Sequence, residues 1–307
     1  MLSSEHQTTR ATIAMHFLQT LKHLGHRLRN GRTINELLRR RPRHLCCYVG
    51  DYTVLTETFF GAKIYLESRD VSVTPHIMHG GNWEDEVTTW LAKELKPGDC
   101  FLDVGANTGF FSLFAARITG PEGYVVAFEP QPKLARLISH SLDINGFRPF
   151  SNVRDHALGD VLGAGQLGHI RDYYGSASMS KNFGDNAIPK TEVKIMTLDQ
   201  ALKEIAAKNP RYKPPRVIKI DAEGFEYFIW KGMAETVRQA DKLSIIMEFA
   251  PRRFSSQRQD YRLFLKEMVE ASFDLTILGH DGEGPFDPAS LEAMVASGGF
   301  VELVLRK

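Results

Sequence analysis

The sequence predicts an α/β protein built on a mostly parallel sheet, and three observations carry that expectation. Apolar runs of strand length recur, each closing on a carboxylate; the runs are continuous rather than alternating; and their spacing matches strand–helix–strand units. The runs are Phe101-Leu102-Asp103, Val125-Val126-Ala127-Phe128-Glu129, Val217-Ile218-Lys219-Ile220-Asp221 and Ile245-Ile246-Met247-Glu248. Continuous hydrophobicity marks strands covered on both faces, as a parallel sheet between helix layers requires. Asp103 to Glu129 is 26 residues and Asp221 to Glu248 is 27, about one repeat each, whereas the 92 residues from Glu129 to Asp221 must hold more.

Bulk properties agree. At 307 residues, 43% hydrophobic and 24% charged, the chain can bury a large core without disulfides, which excludes disordered and collagen-like classes. Cys46, Cys47 and Cys100 form no Cys-x-x-Cys pair, so a reducing compartment is expected. No run reaches the roughly 18 apolar residues of a membrane span, and no compact apolar stretch with a cleavage site opens the chain. These features lead to the expectation of a cytoplasmic protein. The charge is uneven: residues 1–50 carry nine Lys/Arg against Glu5 and Glu36, and the remainder is net acidic.

Taken in order, residues 1–44 read as a basic arm. Phe17, Leu18, Leu21, Leu24 and Leu28 recur at near-helical spacing around Lys22, Arg27 and Arg29, which predicts an amphipathic helix. It either packs on the main domain or docks on an anionic surface, a membrane face or nucleic acid; a transit peptide fits poorly with Glu5 and the histidines. Residues 45–97 predict a cap, with a hairpin of Tyr52 to Phe60 and Lys63 to Leu66 about Gly61, then a helix from Glu84 to Leu95. Residues 98–307 hold the main domain. There Phe111, Phe114, Ala115 and Ile118 form one helix face stopped by Gly120-Pro121, and Leu134, Leu137, Ile138 and Leu142 another stopped by Asn145-Gly146. A third strand falls near Asn152 to Ala157. The Gly-, Ser-, Asn- and Tyr-rich stretch from about 163 to 196 predicts an inserted hairpin or lid. Gln257 to Ala271 predicts a helix, and Leu275 to Leu278 and Phe300 to Leu305 the last strands.

Ligands of open α/β sheets bind outside the carboxyl ends of the strands, so Asp103, Glu129, Asp221 and Glu248 should line one crevice. That acidic rim repels phosphate and suits a cation, a metal or a polyhydroxylated ligand. Asp103-Val104-Gly105-Ala106-Asn107-Thr108-Gly109 follows a strand and opens a helix, yet is neither Gly-x-Gly-x-x-Gly nor a Walker A loop. Gly105 and Gly109 permit tight turning, and Asn107 tolerates a left-handed conformation. Glu129 stands where such folds place an acid on two ribose hydroxyls. An adenosine bearing a positive centre and no phosphate describes S-adenosylmethionine.

The same residues resemble the FkbM family of S-adenosylmethionine-dependent methyltransferases over about Tyr52 to Lys307. The resemblance rests on the 103–109 loop, Phe128-Glu129-Pro130 with Pro132, Ala157-Leu158-Gly159-Asp160, Leu198-Asp199, and above all Lys219-Ile220-Asp221-Ala222-Glu223-Gly224-Phe225-Glu226. Gly81-Asn82-Trp83-Glu84 and Lys96-Pro97-Gly98-Asp99 are similar as well. It implies a Rossmann-like class I methyltransferase: a mostly parallel seven-stranded sheet with helices on both faces, plus an N-terminal helical and hairpin extension. It also implies methylation of a hydroxyl oxygen on a sugar, glycolipid or natural product, hence a small-molecule or glycan acceptor.

Roles follow for individual residues. Asp103 should fix the loop and, directly or through water, hold the methionyl amino group; Gly105, Asn107, Gly109 and Pro130 join it in the cofactor-binding set, and Glu129 should accept from the ribose hydroxyls. The resemblance places His156 and Ala157 at the adenine edge. Lys219 breaks an apolar strand pattern, which is expected at a functional site, and should pair with Asp221 or Glu223. Either acid is a candidate base, because mutual repulsion raises the pKa of one. Trp83, Glu84, Tyr173, Tyr174, Ser176 and Glu248 are candidates for the acceptor side. His76-x-x-His79 and His44-x-Cys46 are too sparse for zinc, so no metal is expected. A nicotinamide-dependent oxidoreductase and a non-catalytic binder of anionic surfaces stay open as alternatives. No nucleic-acid partner is expected, peripheral membrane contact through residues 1–44 stays open, and the sequence does not give an oligomeric state.

Overall fold

The computed structural model describes residues 45–179, 190–256, 259–287 and 299–307. The helix expected in the basic arm therefore lies outside the described residues, as do 180–189 of the insertion and 257–258, where a helix was expected to begin. The first three strands, β1 (Cys46–Gly50), β2 (Thr53–Glu57) and β3 (Lys63–Glu67), form an antiparallel sheet. Two helices follow, α1 (Thr74–Gly80) and α2 (Asp85–Glu94).

The expected βαβ rhythm is then explicit: β4 (Cys100–Val104), α3 (Phe110–Thr119), β5 (Tyr124–Phe128), α4 (Pro132–Ile144) and β6 (Ser151–Arg154). Every residue of β4 and β5 is buried, the physical counterpart of their unbroken apolar runs. Helix α4 stops where Gly146 adopts φ 74°, and the Asn145 side chain accepts from Lys63 N at 2.9 Å and donates to Lys63 O at 2.6 Å, tying β3 to this helix.

The insertion is a hairpin built into a second sheet. Strands β7 (Ala157–Leu158), β8 (Gly163–Ile170), β9 (Tyr173–Ser178) and β10 (Thr191–Met196) lie in the order β7-β10-β8-β9, around a small core of Ala157, Leu167 and Val193. Then come α5 (Leu198–Lys208), β11 (Val217–Ile220), α6 (Glu226–Lys231), α7 (Ala234–Gln239), β12 (Ser244–Phe249), α8 (Pro251–Ser256) and α9 (Tyr261–Glu270). The described chain closes with β13 (Asp274–Gly279), β14 (Gly282–Pro285) and β15 (Val301–Arg306).

The main sheet corrects the expectation of seven strands. Among the described residues it has eight, in the order β14-β13-β15-β12-β11-β4-β5-β6, and is mixed: β12, β11, β4, β5 and β6 run parallel, while β15 is antiparallel to both its neighbours. The additional strand is the Gly-Glu-Gly-Pro segment of β14, which folds back on β13 across Gly279 and Gly282 and has no β-forming sequence of its own. One core joins Ile64, Ile77 and Leu91 of the 45–97 segment to Phe101, Val126, Ile218 and Met247 of the sheet. Among the described residues no helix is long and apolar enough to cross a membrane. Register sets Lys219 on β11 beside Asp103 on β4, and Glu248 on β12 opposite Glu302 on β15.

Candidate functional site

The loop after β4 is shaped by close approach. Gly105 has φ 77°, and a Cβ there would stand 1.8 Å from the Asp221 carbonyl oxygen, so only glycine lets the loop cross the end of β11. Asn107 takes φ 50°, which lets its N–H donate to Glu129 Oε2 at 2.8 Å, while Gln131 N donates to Oε1 at 2.9 Å. The N–H groups of Gly105 and Ala106 go to Phe128 O, and that of Gly109 to Ala106 O. The amides of Gly105, Ala106, Asn107 and Gly109 are therefore occupied by protein acceptors. Gly109 serves packing: a Cβ there would meet Ile138 at 2.8 Å.

Two acids of this half of the sheet are fully enclosed. Asp103 Oδ2 accepts from Ser112 Oγ at 2.6 Å, whereas Oδ1 is buried with no partner. Asn107 Oδ1 is likewise a buried acceptor without a donor. Burial raises the Asp103 carboxyl above its ordinary range, against the attraction of Lys219. Burial pushes Glu129 up to about 7, against the pull of the Gln131 and Asn107 amides.

The other half is held by side-chain cations. Lys219, 4% exposed, lies 3.0 Å from Asp221 Oδ2 and over the Phe111 ring at 4.9 Å. Burial alone would lower its pKa, but the charges of Asp221, Glu84, Asp103 and Glu302 outweigh that and hold it above the ordinary value. Arg253 on α8 bonds Glu223 at 3.0 Å and also Glu248. Desolvation and the charge of Asp221 push Glu248 up to about 9, and desolvation pushes Glu302 up to about 8. Glu226 Oε1 accepts from Ala222 N at 3.0 Å and Gly224 N at 3.1 Å, which fixes the turn carrying Glu223 at φ 53°. Asp221, Glu223 and Glu248 present oxygens within 4.8 Å of one another, and no ligand spacing in the sequence announced this trio.

A cleft opens where these halves meet. Of the sequence candidates, Gly105, Asn107, Glu129, Pro130, His156, Ala157, Tyr174, Asp221 and Glu223 line it. Its roof is the β8–β9 hairpin, pinned by Asp70, whose Oδ1 accepts from Tyr174 N at 3.2 Å, and by Gln131, whose side chain donates to Tyr174 O at 3.3 Å. Asp103, Gly109 and Lys219 stand behind the wall. Tyr173 is half exposed, and Ser176 Oγ bonds back to Tyr173 O, so neither is part of the wall; Glu248 is also outside it. Trp83 and Glu84 line a second cleft with His76, His79 and Asn82. Glu84 has φ 45°, caps no amide of α2 with its side chain, and keeps Oε2 buried without a partner. Burial raises it to about 7, opposed by Lys219.

Sequence reasoning gave no role to Arg253, Glu302 or Asp70, and Glu226 entered it only as the end of the 219–226 segment. Glu302 carried the signal that singled out Lys219, a charge inside an apolar strand. Arg253 carried none, being one of two adjacent arginines on a short helix.

The family model described as the methyltransferase FkbM domain matches residues 103–273. Among solved structures, the chain is similar to a methyltransferase FkbM from Methylobacillus flagellatus, at 12% identity and TM-score 0.42, covering 72% of this chain and 50% of that one. It is also similar to an O-methyltransferase from Bacillus cereus in complex with SAH (15% identity, 78% and 84% covered, TM-score 0.42) and to a SAM-dependent O-methyltransferase from Thermotoga maritima (15%, 82% and 77%, TM-score 0.39). The chain thus spans half the length of the Methylobacillus protein.

Proposed function

Because the chain belongs to the FkbM methyltransferase family, we propose that it is an S-adenosylmethionine-dependent methyltransferase of class I that methylates a hydroxyl oxygen on a small molecule or glycan. The observation that carries the reading is the roofed cleft itself, lined by the buried Glu129 and by Asn107, whose Oδ1 has no donor, on a loop whose amides are largely bonded to protein acceptors. The residues fit the cofactor. Each Glu129 oxygen accepts one backbone N–H and keeps capacity for a ribose hydroxyl. Asn107 Oδ1, in the wall of the cleft, is an acceptor awaiting a donor, as an ammonium group supplies, while Asp103 stands behind that wall. His156, Ala157 and Phe225 line the same cleft and would meet the adenine. When bound, the cofactor supplies a methyl group on positively charged sulfur.

The chain's own residues then orient and exclude water. Asp221 and Glu223 present negative charge where a positive centre must sit, and Lys219 and Arg253 keep that charge from repelling itself open. The β8–β9 roof shields the cleft, and positioning the acceptor oxygen in line with the methyl carries most of the acceleration. The occupied loop amides weigh against a nicotinamide dinucleotide, whose pyrophosphate needs free N–H groups. The anionic-surface reading concerns residues 1–44, outside the described residues.

The test is incubation of the full chain with isotopically labelled methyl donor and small-molecule extracts, followed by mass spectrometry. Label on an oxygen of a hydroxylated product supports the reading. Label on nitrogen or a carboxylate overturns the oxygen specificity, and no incorporation overturns the activity.

A further inference from the structure

The donor cleft leaves a second cleft unexplained, and the two are joined by charge. One wall of the first is Asp221; Asp221 binds Lys219 at 3.0 Å; and Lys219 acts electrostatically on Glu84, which lines the second. Glu84 is built unlike a surface residue. It occupies a left-handed conformation that non-glycine residues avoid, a form of strain that concentrates at functional sites. As the residue preceding α2 it could bond that helix's free amides, yet its side chain turns inward and leaves Oε2 buried and unpartnered. Beside it Trp83, the least buried of the tryptophans, is stacked obliquely by His76 with ring centres 5.3 Å apart.

We infer that the cleft of His76, Asn82, Trp83 and Glu84 is the acceptor site, that it takes a hydroxylated ring such as a sugar with one apolar face on Trp83, and that Glu84 is the residue that accepts the hydroxyl proton. The inference rests on the methyl-transfer reading above and assigns what that reading left open. Asp221 and Glu223, the bases suggested by the sequence, each have an oxygen held at 3.0 Å by a cation, whereas Glu84 is met by the neutral Trp83 side chain and keeps Oε2 buried without a partner. Burial holds Glu84 at about 7, among the charges of Lys219, Asp221 and Asp103, so near neutrality it can both exist as carboxylate and hold a proton. The step balances. The acceptor oxygen forms a bond to the methyl carbon, the carbon–sulfur bond breaks with its electron pair left on sulfur, and the hydroxyl proton passes to Glu84. No oxidant or reductant is needed. Asn82, whose amide already donates to Asp85 at 2.7 Å, is held as a further hydrogen-bonding group at the rim.

The test uses the full chain and its E84Q and W83F forms. Donor binding is followed by calorimetry with S-adenosylmethionine, and acceptor binding by the tryptophan emission shift on adding methyl α-D-glucopyranoside or methyl α-D-mannopyranoside. Transfer to these probes is followed by mass spectrometry. Trp90 and Trp230 are 3% and 6% exposed, so a shift on binding reports Trp83. The expected result is a shift in wild type and E84Q and none in W83F, with donor affinity within about twofold in all three. Transfer by E84Q should fall by about a hundredfold or more. Wild-type transfer by E84Q, loss of donor binding in E84Q, or wild type that binds donor but neither binds nor methylates a probe overturns the assignment. Wild type that binds no donor overturns the methyl-transfer reading itself, and this inference with it.

Discussion

The two halves of the sheet edge manage buried acids by opposite means. At β4 and β5, Glu129 is fixed by backbone amides, which cannot move without unfolding the loop that carries them. At β11, β12 and β15, Asp221, Glu223 and Glu248 are fixed by two side-chain cations, Lys219 and Arg253, with Glu84 and Glu302 left over. A carboxylate clamped by backbone is a rigid acceptor, suited to reading an unchanging pair of hydroxyls. A surplus of carboxylates sharing few cations has labile protons, suited to a step in which a proton must be placed. Under the proposed function, the division sets binding on one side and chemistry on the other.

The largest blow to this contrast is Lys219→Met. It removes the cation that three or more buried acids face, so unfolding free energy should fall by about 3–5 kcal/mol, read from denaturant midpoints at neutral pH. A loss under about 1 kcal/mol would mean that the acids on this side are not charge-balanced by Lys219. Next is Gly105→Ala, which drives a Cβ into the Asp221 carbonyl and should weaken S-adenosylmethionine binding by about a hundredfold, read by calorimetry.

The acids also give the contrast a pH signature. Glu129 and Glu84 at about 7, Glu302 at about 8 and Glu248 at about 9 all lie above the ordinary value of 4.5. Between the ordinary and the raised values the folded chain keeps protons that the unfolded chain has released. Their contribution to stability is therefore full below the ordinary value and declines as pH rises through the raised ones. Thermal midpoints across pH 5 to 9 check this, and Glu129→Gln should flatten only the segment below about 7. The smallest effect belongs to Lys266→Ala, which breaks an exposed pair with Glu270 at 3.5 Å, far from either half; stability should change by under about 0.5 kcal/mol.

How legible this was differs by residue. The strands β4, β5, β11 and β12 could be read because burial on both faces writes an unbroken apolar run, and the Lys219 violation stood out against it. Glu302 breaks the apolar run of β15 in the same way, as a charge between Val301 and Leu303. Arg253 was illegible: nothing in sequence spacing says that a helix after β12 returns an arginine to Glu223. The second sheet hid for another reason, since β7 has two residues and β8 carries three glycines, too little side chain to make a pattern. The roof, pinned by Asp70 across about a hundred residues of chain, is long-range by nature.

The central claim is that the backbone-clamped half holds a phosphate-free, positively charged adenosine. Calorimetry of the full chain and Glu129→Gln with S-adenosylmethionine tests it most directly. One site per chain, weakened about tenfold or more in Glu129→Gln, is the predicted result. Equal affinity in the two proteins, or heat released with NADH alone, would contradict it.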